Sequence, residues 1–267
     1  MIIIGERLNS SRKPVLQAME NKDENYLQKE ALKQEQAGAS FIDVNAAALL
    51  DKEPEALEWI IPLLQEKLSV PLAIDTPNPK AMEEGLKAHR GKALLNSLSG
   101  EKEKIKSLLP LIKEHKPSVI VLCLDEKGLP RSPEYALSIA NRLVDLLVKE
   151  GLDTDDIFID PLAHPVSIEP DAAPLFLESL RRIKEKMPDV KTIAGLSNIS
   201  FGFPQRRLVN RIFLSIAFLN GLDAAILDPL DAKLLRAISA AEALLDQEPS
   251  LQDYGRETRK KTIKIKE

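Results

Sequence analysis

A single cysteine, Cys123, stands in 267 residues, so no disulfide can form within the chain. Histidine is almost as scarce. His89, His115 and His164 are widely spaced, and no C-x-x-C or H-x-C grouping accompanies Cys123, which leaves no sequence support for a zinc site. Basic excess is missing too. A net charge of −4 and an isoelectric point near 5.6 argue against a nucleic-acid binder. No stretch approaches the roughly 20 apolar residues that cross a bilayer. The opening run, Met1 to Gly5, is too short for a secretory signal, and Glu6 and Arg7 follow at once. A soluble cytoplasmic protein is expected. Internal linkers and low-complexity segments are lacking, so residues 1–246 read as one domain and 247–267 as a polar tail, basic from Arg256 to Lys266.

What is present is an alternation. Short apolar runs occur at Ile2–Ile4, Phe41–Val44, Val70–Ile74, Ala93–Leu95, Val119–Leu124, Ile157–Ile159, Thr192–Leu196 and Ala224–Leu227. Continuous runs of this kind suit parallel strands buried on both faces. Segments with helical spacing separate them: Glu24–Ala37, Pro54–Leu68, Pro79–Ala88, Glu101–His115, Pro133–Lys149, Ala172–Lys186, Arg206–Leu219 and Ala232–Leu245. Strand then helix, eight times over, predicts a single (β/α)8 TIM barrel. An open doubly wound sheet is the alternative, but its G-x-G-x-x-G fingerprint after the first strand is absent.

In such a barrel the chemistry gathers at the C-terminal ends of the strands. Those ends read Gly5-Glu6-Arg7-Leu8-Asn9, Asp43-Val44-Asn45, Asp75-Thr76, Asn96-Ser97, Asp160-Pro161, Gly195-Leu196-Ser197-Asn198 and Asp228-Pro229. Each has an ordinary structural explanation. Asp75 and Asp160 could cap the helices that follow, and Asn96 and Asn198 could satisfy loop backbone. Seven strand ends behaving alike point further. The group is rich in hydrogen-bond acceptors, with Arg7, Arg206 and Arg207 as the nearby cations. Gly195 and Gly202 carry only a weak phosphate signal. A ligand with paired N–H donors, such as an amino-pyrimidinone ring, matches the acceptors better. Cys123 lies inside an apolar run and reads as core. His164 reads as a rim residue or a loop hydrogen bonder.

Taken in order, Ile4-Gly5-Glu6-Arg7-Leu8-Asn9, Asp43-Val44-Asn45, Ala73-Ile74-Asp75-Thr76, Leu95-Asn96-Ser97, Phe158-Ile159-Asp160-Pro161-Leu162 and Gly195-Leu196-Ser197-Asn198-Ile199-Ser200 resemble the methyltetrahydrofolate:corrinoid methyltransferases. These are pterin-binding barrels related to the folate domain of cobalamin-dependent methionine synthase and to dihydropteroate synthase. The resemblance spans Met1 to about Leu245. It implies that Asp75, Asn96 and Asp160 hold the pterin ring and that Asn198 reaches the methyl-bearing N5. Glu6, Asp43 and Ser197 would line or support the pocket, and Arg207 would stand near the mouth, where the folate tail and a partner approach. It further implies (methyl)tetrahydrofolate as substrate, no protein-bound zinc, and a likeness to homodimeric barrels. A cobalamin module with its D-x-H-x-x-G loop is absent, so the corrinoid is expected on a separate partner protein. Two stretches depart from the family pattern, Phe201-Gly202-Phe203-Pro204-Gln205 and His164. Both lie at the rim and bear on which corrinoid protein is served. A binder without turnover would carry the same residues. A dihydropteroate synthase would carry an Asn-x-Thr-x-Asp-Ser-Phe loop where this chain has Leu8 to Pro14.

Overall fold

The computed structural model describes residues 1–245. The expected polar tail over 247–267 lies outside the described residues. Eight parallel strands close into a barrel in sequential order, the first pairing with the last. They are β1 (Ile2–Asn9), β2 (Phe41–Asn45), β3 (Leu72–Asp75), β4 (Leu94–Ser99), β5 (Ser118–Leu122), β6 (Ile157–Asp160), β7 (Lys191–Gly195) and β8 (Ala224–Leu227). The open-sheet alternative is thereby excluded. Eight helices follow the strands as expected: α2 (Glu24–Gln36), α3 (Glu53–Gln65), α4 (Pro79–Ala88), α5 (Lys102–His115), α6 (Pro133–Lys149), α7 (Ala172–Lys186), α8 (Arg206–Leu219) and α9 (Ala232–Leu245).

A further helix, α1 (Lys13–Glu20), lies in the segment between β1 and α2. It begins with Pro14 in its first turn and buries Val15, Ala18 and Met19. Its eight residues are too short to stand out as a helical repeat in sequence, and burial against the barrel stabilises it. β1 and β4 also run past their apolar cores. β1 continues through Glu6 and Arg7 to Asn9, and β4 through Asn96 and Ser97 to Ser99. Each shows a register shift there against its next strand, between Gly5 and Leu8 and between Asn96 and Leu98.

Two cores hold the molecule. The larger lies between sheet and helices, with Ile42, Leu72, Ile74 and Val119 meeting Leu57, Ile60, Ile61, Leu64, Met82 and Leu143. The smaller fills the barrel with Ile4, Ala73, Leu94, Ile120, Phe158, Ile193 and Ala224. Burying each large aliphatic side chain contributes roughly 1.5–3 kcal/mol against chain entropy. Five large side chains and two alanines make up this inner set, so the barrel is a packed interior rather than a channel.

Candidate functional site

The inner core sets the site by simple alternation. Successive strand residues point to opposite faces, so the residue two places beyond an interior one faces the interior again. Two beyond Ile4 comes Glu6, two beyond Phe41 Asp43, and two beyond Ala73 Asp75. Leu94 leads to Asn96, Phe158 to Asp160, and Ile193 to Gly195. On β5 and β8 the same position is apolar, Leu122 and Ile226. This layer is the floor of the barrel mouth.

Its members are joined across strands. Asn96 Nδ2 donates to Asp43 Oδ1 at 3.1 Å, and Asn45 Nδ2 donates to Asp75 Oδ2 at 2.9 Å. Asn45 Oδ1 accepts in turn from Ser10 Oγ and from the Ala47 amide, which locks its orientation. Asp75 therefore does not cap the following helix. Asn78 does, accepting from the Lys80 amide. Asp160 does serve backbone. It accepts from Leu162 N at 2.7 Å and Gly195 N at 3.3 Å, pinning the turns after β6 and β7.

Four carboxyl groups in one water-poor layer cannot all ionise freely. Burial raises Asp43 well above the ordinary carboxylate range, the neighbouring Asp75 charge adds to this, and the Asn96 bond only partly opposes it. Burial also raises Asp75, against the Asn45 bond, and Glu53, buried at the start of α3, adds its charge. Asp160 is raised to about 6 and Glu6 to about 7, each chiefly by burial. The layer thus offers both carboxylate acceptors and protonated carboxyl donors near neutral pH.

The lip comes from the segment after β7. Leu196–Asn198 form one 3-10 turn, and Ser197 Oγ donates to Glu6 Oε1 at 3.3 Å. A side chain at Gly195 would place its Cβ 3.1 Å from Asn198 Nδ2, so the Asn198 amide folds back over the end of β7. Glycine at 195 makes room for it. Arg206 braces this lip, donating to the Ser197 carbonyl at 2.7 Å and to Ser200 Oγ at 3.1 Å. The loop after β6 is stitched to it by Val166 N to Ile199 O and Ser167 Oγ to Phe201 O.

Glu6, Asp43, Asp75, Asn96, Asp160, Ser197 and Asn198 are therefore brought to one mouth. Arg207 stands outside this layer. It is exposed and lines a cavity of about 800 Å³ beside the mouth, together with Glu6 and Ser197. Arg7, read from sequence as a nearby cation, is held by Glu30 at 2.6 Å and Asp228 at 2.7 Å. Buried His164 bonds Glu169 within its own loop at 2.9 Å through Nδ1. Cys123 is buried, and burial beside Asp160 pushes its thiol strongly upward, so it stays protonated and unreactive.

A sequence profile of the family described as pterin binding enzyme matches residues 5–228. The chain belongs to the pterin-binding enzyme family. It falls there with the methylcorrinoid:tetrahydrofolate methyltransferases. The Eubacterium limosum protein of that name is 35% identical over 265 residues, 98% of each chain. Methionine synthase of Mycobacterium tuberculosis is 28% identical over 239 residues, which cover 85% of this chain and 20% of the synthase. Dihydropteroate synthase of Xanthomonas albilineans, solved with 4-aminobenzoic acid, superposes with a TM-score of 0.72 over 92% of this chain and 94% of that one. At 18% identity that likeness shows the shared barrel alone.

Three residues of this pterin-binding enzyme have a part at the site that the sequence did not assign to them. Asn45 orients Asp75, Arg206 braces the lip, and Glu53 presses on Asp75. Asn45 was within reach, since it ends the same strand as Asp43. Glu53 lies in a helix, where charged residues are the rule and nothing marks it out, and Arg206, read in sequence as a nearby cation, bonds the lip only through the fold.

Proposed function

We propose that this enzyme moves a methyl group between N5 of tetrahydrofolate and the cobalt of a corrinoid carried by a partner protein, running toward methyltetrahydrofolate. The observation that carries the reading is the polar layer of Asp43, Asp75, Asn96 and Asp160 beneath the folded-back Asn198 amide. The direction is the one the Eubacterium limosum methylcorrinoid:tetrahydrofolate methyltransferase is named for.

In this reading Asp75, Asn96 and Asp160 take the donor-rich edge of the pterin, with Asp43 holding the Asn96 amide and Glu6 supporting Ser197. A carboxylate accepts two parallel N–H bonds from an amino-pyrimidinone as it does from a guanidinium. Asn198 meets N5. Its carbonyl accepts the N5–H of tetrahydrofolate and aims the nitrogen lone pair at the methyl carbon. The N5–carbon bond forms as the carbon–cobalt bond breaks, both of that bond's electrons stay with cobalt, and the N5 proton is released. In reverse the same amide donates to N5 as its charge develops. One group serves both directions because an amide carries both a donor and an acceptor.

The partner reading rests on the rim. Leu50, Leu129, Ile168, Phe201, Phe203 and Leu230 are exposed large apolar residues, contributed by the loops after β2, β5, β6, β7 and β8. Isolated exposed apolar residues are common, but a set ringing one mouth suits a protein that covers it. We also propose a homodimer, supported by an exposed stripe of Leu208, Ile212, Ile216 and Leu219 along α8. The opposite face of α8 is already buried through Phe213, Leu214 and Ala217. No helix among the described residues is long and apolar enough to cross a membrane. A cytoplasmic enzyme is the reading we carry forward.

The test is spectroscopic. The protein is mixed with methylcobalamin and tetrahydrofolate, and separately with cob(I)alamin and methyltetrahydrofolate, while the cobalt absorption is followed. Methyl transfer is expected in both mixtures. A protein that binds tetrahydrofolate yet leaves both spectra unchanged is a binder without turnover, and the transferase reading fails.

A further inference from the structure

The cavity beside the mouth is separate from the ring contacts: Asp43, Asp75, Asn96 and Asp160 do not line it. It opens between the N-terminal turns of α8 and α9, measures about 800 Å³, and shares Glu6 and Ser197 with the pterin site. That volume lies in the usual range for small-molecule sites. Its wall is basic in a chain whose net charge is −4. Six cations line it, Arg7, Arg206, Arg207, Arg211, Lys233 and Arg236, against three carboxyls, Glu6, Asp228 and Asp231.

The pairings decide how much of that charge is available. Arg7 is engaged by Glu30 and Asp228, and Arg211 by Asp231. Arg206 has only neutral partners, the Ser197 carbonyl and Ser200 Oγ. Arg207, Lys233 and Arg236 have no carboxylate within ion-pair distance among the described residues. Arg211 adds a second, independent sign. Its Nε is a buried donor without a partner among the described residues, in a side chain that lines the cavity. A buried N–H left unpaired is costly, and an anion in the cavity would satisfy it.

Resting on the folate reading above, we propose that this cavity is a subsite for the γ-linked glutamate carboxylates of the folate tail. The first glutamate meets Arg207 at the entrance, and further glutamates run toward Lys233 and Arg236. The tail leaves the pterin on the side where Glu6 and Ser197 border both spaces, so ring and carboxylates can be held at once. A linear chain of carboxylates matches a row of cations on two adjacent helix starts, and the first turn of α8, which no side chain caps, adds to the attraction.

Binding of tetrahydrofolate mono-, tri- and pentaglutamate to the full-length protein is measured by calorimetry at low and high salt. Pentaglutamate is expected to bind about tenfold more tightly than monoglutamate, the size of two or three half-exposed ion pairs. The gain should vanish at high salt. The double variant Lys233→Glu, Arg236→Glu should cut it below twofold while monoglutamate affinity stays within about twofold of wild type. Equal wild-type affinity for all three folates overturns the subsite and leaves the folate reading standing. Equal weakening of all three by the double variant overturns it as well, since the loss is then not of the tail. If no folate binds at all, the function on which the subsite rests falls with it.

Discussion

At pH 7 the Asp160 carboxyl, raised to about 6 by burial, is mostly ionised, and in that form it can accept paired N–H bonds from a pterin. Protonation removes that capacity. Tetrahydrofolate affinity is therefore expected to be flat above pH 7 and to fall toward tenfold per unit below about 6. Asp160→Asn should bind more weakly and show no such step; a wild-type affinity constant from pH 5 to 8 would remove Asp160 from the ring contacts. In the proposed reaction Asn198 has a different part, at N5. A donor or acceptor aimed at charge that develops in the transition state is worth about 3–4 kcal/mol. Asn198→Ala should lower kcat by about 10²–10³-fold while the folate Kd changes only severalfold. Asp75→Ala and Asn96→Ala should do the opposite, weakening binding first. Equal losses in kcat and affinity for Asn198→Ala would place it among the binding residues instead.

Between elements, the contact of β1 with α2 orients the first wall of the site. Gly5 lies so close to α2 that a Cβ there would sit 2.5 Å from Gln34 Oε1. That oxygen is engaged, accepting the Arg7 amide at 3.0 Å, and Gln34 is fully buried, so it has little room to retreat. One turn earlier, Glu30 of the same helix grips the Arg7 guanidinium. Glycine at position 5 thus lets the helix lie on the strand where β1 irregularly pairs with β2 and turns Glu6 inward. Gly5→Ala should destabilise the fold by about 2 kcal/mol through overpacking, read as a lower unfolding midpoint. Activity should fall along with it, because Glu6 follows directly. An unchanged midpoint would mean that Gln34 can move without cost.

For the molecule as a whole, α8 is apolar on two faces. Phe213, Leu214 and Ala217 pack inward, and Ile212, at 53% exposure, leads an outward stripe with Leu208, Ile216 and Leu219. A helix with apolar residues on two opposite faces wants cover on both. A dimer is expected by light scattering at micromolar concentration, and Ile212→Arg should yield a folded monomer. A wild-type monomer at that concentration would rule out this interface. The stripe faces away from the cavity that Arg207, Asn210 and Arg211 line on the same helix, so dimerisation and ligand entry do not compete for one surface.

Much of the barrel was legible in the chain because the signals are local. Eight apolar runs alternate with amphipathic helices, and a parallel strand buried on both faces declares itself in four or five residues. The polar strand ends were legible for the same reason, since Asp75, Asn96 and Asp160 each stand directly after an apolar run and Asp43 interrupts the second one. Helix α1 escaped notice because eight residues carry too few turns to show a period. Tertiary structure alone decided the chemistry. The Asp43 carboxyl is raised because water is excluded from it and, further, because Asp75 lies on the next strand. Asn198 reaches the mouth only because its turn folds back over Gly195. Ser197 meets Glu6, 191 residues away, only because β8 closes on β1. The cationic cavity is assembled from both sides of that closure. Periodicity is a property of neighbours along the chain, whereas burial, shared charge and a cavity wall belong to neighbours in space.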